Sequence, residues 1–212
     1  MPELLLVADA AWTDAGVFHA VIALEEKQLA YEVESVPLPI PEPRKAWFLA
    51  RSPLAGVPML VHGEHGITES LAISEYLAET FPTPAHPRLF PADLRVRARA
   101  RQVMGVLRTS LFALRAARPT ASVFVAPRAW PEPLAGEAAA DAAELLRLAS
   151  ALLAQGRTTL FESWCIADAD LGLALMRLLA SGDAVPAPLE AYARAQWERP
   201  STRAYLARRP DR

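Results

Sequence analysis

The spacing of apolar residues changes several times along the first 35 positions of the chain. Residues 4–7 form a continuous apolar run of strand length, and the apolar residues between Val17 and Leu24 recur at the spacing of one helix face. Tyr31 and Val33 then alternate with glutamates, a pattern typical of a half-buried strand. The sequence therefore predicts a strand, a helix and a second strand, with the two strands running parallel.

The following stretch predicts a hairpin and a further helix. Alternate prolines in residues 37–43 exclude regular structure there, and a short helix is expected at 45–50. An apolar strand after Pro58, a turn at 63–66 and a returning strand that includes Ile67 predict the hairpin. The helix after it carries an apolar stripe made of Ile73, Tyr76, Leu77 and Phe81. This part of the chain thus predicts the order βαβ followed by ββα.

The pattern after residue 81 predicts a second domain. Four prolines in residues 82–91 make a stiff connector, and the linker is placed there. No alternating segment follows, and alanine, leucine and arginine recur at helical spacing through residues 92–212. The expected fold is therefore α/β plus all-α, with an α/β domain at residues 1–81 and about five helices in the second domain.

Composition narrows the classes of function. The chain has 212 residues, of which 52% are hydrophobic and 22% charged, as in an ordinary globular protein. Its formal charge of -2 gives no electrostatic reason to expect a nucleic acid or an anionic membrane as partner. No apolar stretch is long enough to span a bilayer, and a single cysteine, Cys165, excludes an internal disulfide, so a cytoplasmic location is expected.

Two residue pairs flank the predicted hairpin, and they carry the first indication of chemistry. The Val57–Pro58 bond is of the kind most often cis, and Pro58 cannot donate to a sheet. A helix beginning near Ser70 offers free N–H groups and the positive end of its dipole. In this order and spacing, the pairs Val57-Pro58 and Glu69-Ser70 resemble those of the glutathione transferases.

The resemblance implies a glutathione site in the first domain, which would have a thioredoxin-like fold. The main chain of Val57 would pair with the cysteinyl backbone of glutathione, and the start of the helix with Ser70 would hold the γ-glutamyl carboxylate. Glu69 would take the ammonium group. The resemblance also implies a homodimer of two-domain subunits, and the residues themselves give no reason to expect a metal.

The second domain contains a segment similar to the same family. Residues 164–171 read Trp-Cys-Ile-Ala-Asp-Ala-Asp-Leu and resemble the family's helix-start motif, in which a Ser or Thr faces an Asp three residues later. Here Cys165 replaces the hydroxyl residue, and Asp168 is still expected to accept from the Cys165 N–H. This wording and the arginine-rich run at 97–102 resemble the YfcF-type bacterial subgroup.

Enzymes of this family activate the glutathione thiol with a donor placed after the first strand. The corresponding loop, residues 10–16, contains no tyrosine, serine or cysteine, and Thr13 has its only hydroxyl. Thr13 is therefore the candidate catalytic residue, although it is one position from where the subgroup places a serine, which is Asp14 here. Asp14 is expected to cap the following helix. Thr13 merely supporting the turn, with backbone donors facing the thiolate, stays open as an alternative.

The resemblance implies a glutathione transferase-like enzyme that conjugates glutathione to apolar electrophiles or uses it to reduce peroxides. The alternatives are a glutathione-dependent isomerase and a binding or interaction module without catalysis. His62 and His65 lack the further ligands that a metal site needs. The residues expected to line the electrophile site are Trp12, Met104, Leu107, Arg108 and Leu111.

Overall fold

The chain forms two compact units. The structure is a computed structural model that describes residues 3–125, 132–153 and 156–209. One unit comprises the residues up to Leu89 together with those from Ala204 onward, and the other is Phe90–Arg203. The residues that follow Ala204 therefore join the first unit, whereas the sequence assigned them to the all-α domain.

The first unit is built on a four-stranded mixed sheet. Its strands are β1 (Leu4–Asp9), β2 (Glu32–Val36), β3 (Met59–His62) and β4 (His65–Thr68). They lie in the order β2-β1-β3-β4, with β1 parallel to β2 and the other neighbours antiparallel. Since β1 lies inside the sheet, its nearly continuous apolar run is buried, as in strands covered on both faces.

Helices cover both faces of this sheet. The first-unit helices are α1 (Ala15–Glu26), α2 (Glu42–Leu49) and α3 (Ser70–Thr80). Helix α1 packs against α3 and is buried continuously from Val17 to Leu24. Phe48 of α2 is fully buried in a cluster with Val7 and Met59. The predicted order of elements and the thioredoxin-like fold are thus confirmed.

The described residues of the second unit form helices and their connections, with no strand. Helix α8 is its centre, because it is buried along nearly its whole length and packs against α4, α6, α7 and α9. Short helices α5 and α6 bring the count in the described ranges to seven, above the five expected. The bounds are α4 (Leu94–Thr109), α5 (Phe112–Ala117), α6 (Thr120–Phe124), α7 (Gly136–Leu152), α8 (Ile166–Ser181), α9 (Ala187–Trp197) and α10 (Pro200–Ala207).

A buried carboxyl group organises the start of α8. Asp168 is fully buried and accepts the N–H of Cys165 at 2.9 Å, the N–H of Leu160 at 2.8 Å and the hydroxyl of Tyr192 at 2.8 Å. The predicted bond from Cys165 to Asp168 is thereby confirmed. Burial raises the pKa of the Cys165 thiol to about 12, and Asp168 adds to the rise, so this cysteine remains protonated. None of the helices in the described ranges is long and apolar enough to cross a membrane.

Candidate functional site

The carboxylate of Asp9 organises the loop after β1. Asp9 is buried at the end of the strand, and its Oδ2 accepts the N–H of Thr13 at 2.8 Å and the Thr13 hydroxyl at 3.3 Å. Its Oδ1 accepts a longer bond, 3.4 Å, from the N–H of Asp14. A threonine hydroxyl has one proton to donate. In this structure, the proton of the candidate catalytic residue is directed at Asp9.

Asp14 caps α1, as the sequence predicted. Its Oδ1 accepts the N–H of Val17 at 2.9 Å. Burial raises the pKa of the Asp14 carboxyl, and the charges of Asp9 and Glu69 raise it further, while the N–H groups of Val17 and Gly16 oppose the rise. Three carboxyl groups therefore share one neighbourhood, next to the loop that the resemblance assigns to thiol activation.

Tyr205 holds the same loop from the other side. Trp12 has a left-handed backbone, with φ of 53°, and its carbonyl accepts the Tyr205 hydroxyl at 2.8 Å. The rings of the two residues meet edge to face at 5.5 Å, and the ring of Phe18 is 5.1 Å from that of Tyr205. Trp12 is 5% exposed, so little of the ring assigned to the electrophile site is accessible.

The loop lies directly against Pro58. A Cβ atom added to Gly16 would be 2.7 Å from Cδ of Pro58 and 2.9 Å from Oδ1 of Asp14, closer than such atoms approach. Gly16 therefore has a steric reason to be glycine. The Val57–Pro58 bond is cis, as predicted. The pairing of β3 begins at Met59, so the main chain of Val57, two residues earlier, lies outside the sheet ladder.

The Glu69-Ser70 pair stands at the start of α3. Ser70 is the first residue of the helix and is half-buried, and its carbonyl accepts the hydroxyl of Ser74 at 2.9 Å. Glu69 is exposed, has a φ of 69° and makes no side-chain bond to cap the helix. The charge of Glu69 is the smallest of the causes that raise the pKa of Asp14 in the β1 loop.

The second-unit residues assigned to the electrophile site pack within their own unit. Met104, Leu107 and Leu111 are between 0% and 8% exposed. Arg108 forms a two-pronged ion pair with buried Asp170, at 2.5 Å from Nε and 3.0 Å from its second nitrogen. Their role as a ligand surface stays a prediction, because each of them already has a packing or pairing function here.

The two histidines of the hairpin belong to a polar network on the first unit. His62 contacts the Tyr76 hydroxyl through Nδ1 and the Glu3 carboxylate through Nε2, both at 2.7 Å. His65 lies beside Tyr76, with ring centres 6.2 Å apart. Within the described residues, no group of three or more His, Cys, Asp or Glu side chains is arranged to hold a metal ion.

Comparison with known proteins identifies the family. Residues 17–85 match the glutathione S-transferase N-terminal domain, and residues 93–210 match the glutathione S-transferase C-terminal domain. The chain belongs to the glutathione S-transferase family. A glutathione transferase homologue from Burkholderia GL BGR1, solved with bound glutathione, is 31% identical over 96% of both chains, with a TM-score of 0.76.

Shorter matches connect this chain to curated members of the same family. A probable maleylacetoacetate isomerase of Vibrio cholerae is 40% identical over 82 residues, which are 38% of this chain and 37% of the relative. Glutathione S-transferase 1 of Dianthus caryophyllus is 41% identical over 90 residues, 42% of this chain and 39% of the relative. The matched segments thus span well under half of these two relatives.

Sequence reasoning assigned no role to Asp9 or Tyr205, although both hold the loop of Thr13. Asp9 had a signal, because it is a polar residue that directly follows a buried apolar run and is itself buried. Tyr205 had no such signal, because no local feature of the sequence connects it with Trp12, 193 positions earlier.

Proposed function

We propose that this chain is a cytoplasmic glutathione transferase that conjugates glutathione to apolar electrophiles or uses it to reduce peroxides. The observation that carries the proposal is its similarity, over 96% of both chains, to a transferase homologue solved with bound glutathione. The proposed assembly is a homodimer, and membership of the YfcF-type subgroup is part of the proposal. The resemblance at residues 97–102 and 164–171 supports that subgroup.

Glutathione is proposed to bind along β3 and the start of α3. The main chain of Val57, outside the sheet ladder, would pair with the cysteinyl residue as an added strand does. Ser70 and the N–H groups at the start of α3 would bind the γ-glutamyl carboxylate, since a helix N-terminus favours an anion. The exposed carboxylate of Glu69 would pair with the ammonium group.

Thr13 is proposed to donate a hydrogen bond from its hydroxyl to the glutathione thiolate. The bond that this proton makes to Asp9 is long, at 3.3 Å, while the Thr13 N–H makes the shorter one, at 2.8 Å. The hydroxyl can therefore turn toward a ligand while the N–H keeps the loop in place. A donor of this kind lowers the thiol pKa because it stabilises the charged form. The thiol proton passes to solvent, and the thiolate attacks an electrophilic carbon to form the carbon–sulfur bond. The leaving group, which is chloride in 1-chloro-2,4-dinitrobenzene, departs with the electrons of its bond to that carbon.

Two alternative functions each have an observation in their favour. A glutathione-dependent isomerase is favoured by the probable maleylacetoacetate isomerase among the relatives, and isomerisation would use the same thiolate. A module without catalysis is favoured by the three carboxyl groups near the β1 loop, since like charge raises the pKa of a thiol that must ionise.

Glutathione binding measured by calorimetry, together with three turnover assays, would separate these functions. The assays use 1-chloro-2,4-dinitrobenzene, cumene hydroperoxide and maleylacetoacetate as second substrates. The proposal expects binding and measurable turnover with one of the first two. Binding with turnover of maleylacetoacetate alone would establish the isomerase, and binding without any turnover would favour the module.

Thr13→Ala tests the assigned donor. We expect glutathione affinity within twofold of the unchanged protein and a rate at pH 7 about tenfold lower, because the lost bond is made chiefly to the thiolate. Thr13→Ser keeps the hydroxyl and should restore most of the rate. An unchanged rate in Thr13→Ala would transfer the role to backbone donors.

A further inference from the structure

The peptide unit that joins Trp12 to Thr13 is held at both ends. Its carbonyl accepts the Tyr205 hydroxyl at 2.8 Å, and its N–H donates to Asp9 at 2.8 Å. A peptide unit is planar, so fixing its carbonyl and its N–H fixes its rotation about the chain axis. The direction of the N–Cα bond of Thr13, which lies in this plane, is then fixed as well.

The backbone of Trp12 needs such a restraint. Its left-handed conformation, with φ of 53°, is unfavourable for a residue other than glycine, and such conformations persist only when the surrounding structure imposes them. The Trp12 N–H bonds to the Asp9 carbonyl at 3.1 Å, which completes the turn. The groups that hold Trp12 therefore come from the end of β1 and from Tyr205.

We propose that Tyr205 is a positioning residue for glutathione activation, acting through the Trp12–Thr13 peptide unit to aim the Thr13 hydroxyl at the thiol. This inference rests on the proposed function. Tyr205 makes the assigned bond from a fully buried position, with its ring packed on those of Trp12 and Phe18. Burial raises the pKa of the Tyr205 hydroxyl, so it keeps its proton and remains a donor across the working pH range.

The ring and the hydroxyl of Tyr205 have separable roles. The ring fills space in the first unit, which is a packing role that phenylalanine reproduces. The hydroxyl alone reaches the Trp12 carbonyl, and Tyr205→Phe leaves that carbonyl without this donor. Without this hydrogen bond, the left-handed turn is free to relax, and Thr13 moves with it.

Tyr31→Phe is a matched control for the loss of a hydroxyl near the same end of the chain. The Tyr31 hydroxyl donates to Glu25 at 2.6 Å and accepts from Arg208 at 2.9 Å. This variant therefore weakens another tie between α1 and the segment that carries Tyr205, without touching the Trp12–Thr13 unit.

The test combines hydrogen exchange with steady-state kinetics on unchanged protein, Tyr205→Phe and Tyr31→Phe. We expect the amides of Thr13 and Asp14 to exchange at least tenfold faster in Tyr205→Phe, and no such change in Tyr31→Phe. With 1-chloro-2,4-dinitrobenzene, Tyr205→Phe should lower kcat about five- to tenfold and keep the KM for glutathione within twofold. The rise of the rate with pH should move to higher pH, because the thiol pKa is raised.

Equal loop exchange and equal kcat in the two variants would overturn the proposal, even if both melt at a lower temperature. A lower kcat with an unchanged pH profile would also contradict it, because a purely structural loss gives that result. If the unchanged protein binds glutathione but has no turnover, the proposed function fails, while the exchange measurement still decides whether Tyr205 holds the loop.

A measurement on the unchanged protein keeps the inference testable if Tyr205→Phe does not fold. The Thr13 amide and the amides in the last turn of α10 should then open together and show equal protection against exchange. Much weaker protection at Thr13 than in that turn would show that the segment does not hold the loop.

Discussion

Asp9→Asn separates two effects of one carboxylate, because asparagine keeps an acceptor and removes the charge. The amide oxygen can still accept the Thr13 N–H, which makes the 2.8 Å bond that holds the loop. The same neutral oxygen accepts the 3.3 Å bond from the Thr13 hydroxyl less strongly than a carboxylate does, so the hydroxyl turns more readily toward a ligand. We therefore expect the variant to be less stable and, near neutral pH, faster.

The magnitudes follow from the three bonds that Asp9 accepts. Bonds to a charged group contribute about 1.5–3 kcal/mol and neutral ones about 0.5–1.5 kcal/mol, and only the 2.8 Å bond is short. The expected loss of unfolding free energy is about 1–2 kcal/mol, or roughly 2–8 °C in Tm for a chain of this length. Removing a nearby negative charge lowers the thiol pKa by about one unit, which is about tenfold in thiolate well below that pKa.

The assay is kcat/KM for glutathione and 1-chloro-2,4-dinitrobenzene from pH 5.5 to 9.5, with thermal melting of the same samples. The gain of Asp9→Asn should be about three- to tenfold near pH 6.5 and should vanish at high pH, where the thiol is ionised in both proteins. In a Thr13→Ala background, the gain should shrink, because Asp9 then holds no hydroxyl that could turn toward the thiolate. A lower rate at every pH with an unchanged apparent pKa would refute this reasoning and show that the Asp9 charge itself holds the loop.

Three further predictions concern the first unit and the assembly. Ser70→Ala should weaken glutathione binding tenfold or more in calorimetry, because a bond to a charged group contributes about 1.5–3 kcal/mol. The control is Ser35→Ala, at an exposed position on β2, which should leave the affinity unchanged. Equal affinity in the two variants would contradict the assigned site. Asp14→Asn should raise Tm at pH 7, since asparagine caps a helix equally well and carries no charge. The pKa of Asp14 is raised in the folded protein, so its carboxyl destabilises the fold only when ionised, and the gain in Tm should shrink as the pH falls toward 3.8. A gain independent of pH would exclude this cause. Sedimentation at micromolar concentration should give twice the 23.1 kDa chain mass, and a mass of one chain would contradict the homodimer.

The sequence predicts most of the first unit because its signals are local. The apolar run of β1, the alternation in β2 and the stripe on α3 each fall within one element. Pro58 directly precedes β3, and Ser70 begins α3. The short helices α5 and α6 are missed because five or six residues contain too few turns to show a period.

The hydrogen bonds that hold the loop after β1 could not be predicted from local sequence patterns. Asp9 acts on residues four and five positions later, through a loop geometry that residue spacing does not specify. Tyr205 acts across 193 positions, and only the folded chain brings it to Trp12. The candidate site was therefore predictable in its residue types and its elements, and less so in the hydrogen bonds that orient them.

The separation of Trp12 and Tyr205 along the chain has a consequence for biosynthesis. A ribosome that adds about 5–20 residues per second needs roughly 10–40 s to pass from one to the other. During that time, the sheet and helices of the first unit have left the ribosome, but the buried ring that packs beneath Trp12 does not yet exist. The first unit is thus completed only after the whole second unit has been made, and a nascent chain stalled before residue 205 should be open to protease at the β1 loop.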